Sequence, residues 1–165
     1  MITNKLNMNR SIKYGISAGL AIALFLSTLS ISGAFGDSPL RFAKYLLLIA
    51  VMSVFFSRFR PDKPARDYAA YHIKNASIIS LMAAVVTILM NIALYNINPE
   101  YSFQKFNLVP LQNETFMVIN ATIFFEIIVL GMISSFVIFP MFKPKDDIHK
   151  LSEMKRNTKL VSQEQ

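Results

Sequence analysis

Apolar residues in this chain fall in long unbroken runs, and the runs are the size of a membrane span. A hydrocarbon core of roughly 30 Å takes about 20 apolar residues as helix. Four stretches meet or approach that length: Tyr14 to Gly33, Leu40 to Ser57, Asn75 to Ile97 and Thr115 to Phe142. The first and third carry no charge, while the second holds Arg41 and Lys44 near its start, where long aliphatic stems lift a charge toward the interface. The fourth contains one acid, Glu126, and Pro140 near its end predicts a kink or an early finish. The predicted fold class is therefore all-α: a four-helix transmembrane bundle running up-down-up-down over residues 1–142, then a cytoplasmic polar tail over 143–165. Short loops, such as the turn Gly33 to Pro39, predict that consecutive spans pack as antiparallel neighbours. In the tail, Ile148, Leu151 and Met154 recur at helical spacing, as in a short interfacial helix. A cleaved signal peptide is the competing reading of the first run, because Lys5, Arg10 and Lys13 precede it and Ser32-Gly33-Ala34 loosely fits a cleavage site. That run is longer than the roughly 7–15 residues of a signal core, which favours a span.

Composition supports the membrane reading. Of 165 residues, 53% are apolar and 16% charged, with a mean hydropathy of +0.41, outside the usual range of soluble domains. The length leaves no room beside four spans for a separate catalytic module of ordinary size. Without cysteine there are no disulfides, thiolate metal ligands or cysteine nucleophiles.

Charge sets the orientation. Fourteen of the 17 Lys and Arg fall on one side of the four-span scheme: three before span one, five between Arg58 and Lys74, and six after Phe142. Arg41, Lys44 and Lys105 are on the other. Both termini are thus expected in the cytoplasm. Tyr14, Tyr68 and Tyr71 fall at the cytoplasmic boundary and Tyr45, Tyr95 and Tyr101 at the outer one, the headgroup levels that tyrosine favours. The net charge of +7 is read as this topogenic signal, and nucleic-acid binding is not expected, because the tail's basic residues are largely offset by acids. The basic connection after Arg58 serves as a topology determinant, with anionic-lipid binding as its functional alternative. The outer loop, Asn98 to Glu114, is apolar enough to lie on the membrane surface or cap the bundle.

Two groups of residues stand out. Gly15, Gly19, Ala23 and Ser27 repeat every four residues in span one and make a small-residue face for close helix approach. Ala76, Ser80 and Ala84 repeat the pattern in span three. These faces suit packing within the chain or, alternatively, homo-oligomerisation or docking to another membrane protein. The second group is polar and intramembrane: Glu126, Lys44, Asn91 and Asn120. Helical rise puts Glu126 about 16 Å beyond Thr115, near the midplane, and Lys44 about 6 Å deep, with the two asparagines near the level of Lys44. An acid at that depth stays protonated or finds a cation. Three readings stay open: a buried cluster that fixes helix register, a proton, ion or small-ligand site, or a lipid-facing protonated acid. Both histidines, His72 and His149, are placed outside the core. No metal site, cofactor or acid–base catalytic set is expected, since no second acid, histidine or cysteine falls inside the spans.

Lys13-Tyr14-Gly15 followed by Gly19, the charged elbow Arg58 to Asp67 leading into Tyr68 to Lys74, and Asn98-Pro99-Glu100-Tyr101 together resemble a bacterial family of small four-span inner-membrane proteins described only as a domain of unknown function. Ile73-Lys74-Asn75 and a shorter outer loop depart from that family's pattern. The resemblance implies architecture and a bacterial inner-membrane location without implying an activity. The expectation from sequence is a non-enzymatic accessory or structural protein of the bilayer. The alternative is a small transporter or ion conduit that uses Glu126.

Overall fold

The computed structural model of the protein describes residues 2–32, 42–59, 65–103 and 115–142. The turn Gly33 to Pro39, most of the outer loop and the polar tail from Lys143 lie outside the described residues. Four helices carry the fold: α1 (Ile2–Ile31), α2 (Ala43–Arg58), α3 (Ala65–Ile97) and α4 (Phe116–Phe142), with a short 3-10 turn at Pro99–Tyr101. Three contain segments long and apolar enough to cross a membrane: Met8–Ile31, Tyr68–Ile97 and Phe116–Met141. The described α2 has 16 residues, which at 1.5 Å per residue is about 24 Å, short of a full core. The helices α1 and α3 start well before the apolar runs they contain, because Lys, Arg and Asn are compatible with a helix even where they end a span. α4 continues through Pro140 to Phe142, since a proline two residues from the end disturbs only the last turn.

Hydroxyl groups in these apolar helices are satisfied locally. Ser17, Ser27, Thr28, Ser77, Ser80, Thr87, Thr122 and Ser134 each donate to the carbonyl four residues earlier, which removes the cost of an unpaired donor where water is absent.

The central helix of the packing is α3, which lies along both α1 and α4, while α2 packs on α1 and α4 and touches α3 much less. Consecutive helices α2 and α3 are therefore diagonal, contrary to the expectation from loop length. The reason lies in the small residues of α1. A Cβ added at Gly15 would sit 2.6 Å from Met82 Cβ and 2.9 Å from the Ile79 carbonyl oxygen, and one at Gly19 would sit 2.6 Å from Val86 Cβ and 2.8 Å from the Ala83 oxygen. Backbone contact that close is available only to glycine, and it gives α3 the place beside α1. On its other side α3 presents Ser80, whose side chain fills the space a Cβ would need at Gly131 of α4.

Pairings give the relative directions. Ser11 bonds to Asn75 and Gly19 faces Ala83, so α1 and α3 run the same way. Asn91 bonds to Asn120 while His72 meets Phe139, so α3 and α4 run oppositely. Tyr14 packs edge-on against Phe55 and Phe59, and Arg10 lies over Phe59, so α1 and α2 also run oppositely. A core of Ile22, Leu26, Leu48, Met52, Phe55, Ile79, Ala83, Ile123 and Ile127 fills the centre. Large apolar side chains such as Leu24, Leu89, Phe125, Phe136 and Val137 face outward.

Candidate functional site: an ion pair and an amide pair between the helices

Lys44 lies in the first turn of α2 and Glu126 lies ten residues beyond the start of α4. Their side chains meet with Nζ 2.5 Å from Oε1, each about 5% exposed. The Tyr45 hydroxyl donates to the same carboxylate oxygen, and the Lys44 ammonium lies 5.1 Å from the centre of the Tyr45 ring. Two charges in an apolar bundle are tolerable only when each meets the other and the remaining lone pairs are bonded.

The equal depth of Lys44 and Glu126 corrects the sequence estimate, which set them about 10 Å apart. Leu48, one turn on from Lys44, reaches Gly131 of α4 with a Cδ2 to added-Cβ distance of 3.3 Å. The start of α2 is thus level with the middle of α4, not with its beginning. Stagger between helices cannot be read from run lengths, because it depends on the loops that join them.

Asn91 and Asn120 form the second pair, one level further toward the 3-10 turn. Asn91 Nδ2 donates to Asn120 Oδ1 at 2.9 Å, and the Asn120 amide donates in turn to the Phe116 carbonyl at 2.9 Å. The other end of Asn91 accepts from the Phe103 backbone N–H at 2.7 Å. Phe103 is fully buried, and the 3-10 turn before it touches α3 and α1. Residues 98–103 therefore fold back as a plug over the core, while the rest of the outer loop lies outside the described residues. Along α4, six residues or about 9 Å separate Asn120 from Glu126. The four polar candidates are thus two pairs on successive levels, with Lys44 beside Glu126 and not beside the two asparagines.

The Gly15, Gly19, Ala23 and Ser27 face is used within the chain. Ala23 is fully buried, and the half-buried Ser27 donates to the Ala23 carbonyl at 2.6 Å.

Three features were missed from sequence. The Tyr45 hydroxyl joins the ion pair by donating to Glu126, a contact that its place in the sequence does not signal. Ser11 donates to Asn75 at 2.5 Å in a buried contact between α1 and α3. His72, expected outside the core, is 1% exposed, stacked on Phe56 at 3.5 Å between ring centres and edge-on to Phe139 at 5.4 Å. Its Nε2 has no hydrogen-bond partner among the described residues. A helical signal was present: Tyr68, His72, Ala76, Ile79 and Ala83 recur at spacings of three and four and are all buried.

One face of α4 beside Glu126 lines an open, apolar groove of about 480 Å³ formed by Val118, Ala121, Thr122, Phe125, Val129 and Leu130. Among the described residues no three His, Asp or Glu side chains come together as a metal-binding group. No family model, curated protein or solved structure matches the chain. The apolar helices define it as compatible with an integral membrane protein.

Proposed function

We propose that the chain is a non-enzymatic accessory or structural protein of the bacterial inner membrane, with four spans running up-down-up-down and both termini cytoplasmic. The relative helix directions and the distribution of Lys and Arg support this topology. In this reading α2 is a short second span, set deep beside α4. The Lys44–Glu126 and Asn91–Asn120 pairs are interhelical clasps that fix stagger and register, the role best attested for buried polar groups.

The observation that carries this reading is that the acid inside the apolar helices already holds Lys44 and Tyr45. A carboxylate so engaged cannot take a travelling cation without displacing a resident one. The small-residue face of α1 is occupied by α3, so a partner protein would meet the outward apolar faces instead.

A conduit through Glu126 is the second reading, favoured by the groove that reaches this residue. Crosslinking in native membranes, followed by affinity purification and mass spectrometry, tests the two. Wild type and Glu126→Gln are compared at equal abundance, alongside proton flux in proteoliposomes. An accessory protein yields the same partner from both and no flux above protein-free liposomes. Flux that is present in wild type and lost in Glu126→Gln contradicts the accessory reading.

A further inference from the structure

Two depressions on the basic end of the bundle meet at Lys13. One, of about 310 Å³, is a slot between α1 and α2 bounded by Lys13, Tyr14, Ser17, Ala50, Val51 and Val54. The other, of about 400 Å³, is a bay around Asn9, Arg10, Ile12 and Lys13. Because α1 and α2 run oppositely, Lys13 to Ser17 and Val54 to Ala50 lead the same way, from the basic bay toward the apolar middle of the bundle. Exposed Leu20 and Leu24 on α1 and Leu46 on α2 continue the two walls at helical spacing.

The mouth is built for an anion. Arg10 and Lys13 are three residues apart, so they share a face of α1, and both are exposed. The Arg10 guanidinium is held over the Phe59 ring, 4.8 Å from its centre, which restrains it while leaving its fork of N–H donors available to a phosphate. The rest of the slot is uncharged and small-walled at Ser17 and Ala50.

Resting on the reading that these helices cross a bilayer with Arg10 and Lys13 on the cytoplasmic side, we propose that the α1–α2 slot binds an anionic glycerophospholipid. Its phosphate sits on Arg10 and Lys13, and one acyl chain lies along Ala50, Val51 and Val54. Charge complementarity selects an anionic over a zwitterionic headgroup, and the apolar slot selects a lipid over a free phosphate ester. A basic side chain near an anionic lipid surface gives about a five-fold preference, so two give about twenty-five-fold.

The test uses the full chain purified from membranes and native mass spectrometry of retained lipid. The probes are phosphatidylglycerol, phosphatidylcholine with the same acyl chains, and glycerol 3-phosphate. Wild type is expected to retain phosphatidylglycerol over phosphatidylcholine about twenty-five-fold. Arg10→Gln with Lys13→Gln abolishes that preference, and Arg10→Lys with Lys13→Arg keeps it. Val54→Trp, at an exposed position, fills the slot and lowers retention of both lipids, while glycerol 3-phosphate does not compete. The proposal is overturned by a preference that survives loss of both charges, by retention unchanged in Val54→Trp, or by glycerol 3-phosphate competing as well as the lipid. Carbonate-resistant insertion of each protein, read separately, shows whether it is the bilayer reading that has failed instead.

Discussion

Lys44 of α2 and Glu126 of α4 meet at 2.5 Å with about 5% of either side chain exposed. Removing one member leaves the other as an uncompensated charge in an apolar interior. Glu126→Gln is therefore expected to cost about 3 kcal/mol or more. Tyr45→Phe removes a hydrogen bond to a charged acceptor and leaves the pair in place, so its cost is smaller, about 1.5–2 kcal/mol. Melting in phospholipid nanodiscs checks the order; an equal or larger loss for Tyr45→Phe contradicts it.

At Gly15 and Gly19 the backbones of α1 and α3 are too close for a side chain. Overpacking at such a contact costs about 1–3 kcal/mol. Gly19→Leu is expected to lower the melting temperature and to expose α1 to protease, with Gly19→Ala intermediate. The exposed Leu24 offers the control, since Leu24→Ala lies on the outward face and leaves both measurements near wild type.

Asn91 serves Asn120 with its amide and the Phe103 N–H with its carbonyl. Asn91→Leu strands the backbone donor and releases the plug, at an expected cost of about 1–3 kcal/mol. Limited proteolysis just after Phe103 is expected to accelerate before global unfolding does. Unchanged cleavage kinetics would mean that Phe103 is held by its packing alone.

Much of this arrangement is legible in the sequence for a simple reason: charge and amide groups are conspicuous in apolar runs. Glu126, Lys44, Asn91 and Asn120 were found that way, and so was the glycine face of α1. Their partners were less legible. The depth of Lys44 depends on how far α2 is sunk beside α4, and that stagger has no local signature. The position of α3 between α1 and α4 likewise follows from glycine contacts in three dimensions rather than from loop length. His72 was misplaced for a different reason. It precedes the apolar run by less than one turn and sits beside Lys74, yet Phe56 and Phe139, from other helices, close over it.

His72 gives a prediction of opposite sign. Its Nε2 is buried without a partner among the described residues while its ring is stacked on Phe56. His72→Phe keeps a planar ring in the aromatic cluster and removes the unsatisfied atom, so stability is expected to stay level or rise by about 1 kcal/mol. A drop in melting temperature would indicate that the ring nitrogen has a partner in the membrane.

The most direct test of the clasp is a double-mutant cycle in nanodiscs with Lys44→Met, Glu126→Leu and the two combined. If the pair exists to satisfy its own charges and fix register, each single variant loses about 3 kcal/mol or more and the double recovers most of it, because a buried ion pair is replaceable by well-packed apolar groups. Single variants that melt like wild type, or losses that simply add in the double, would contradict an energetic coupling between Lys44 and Glu126.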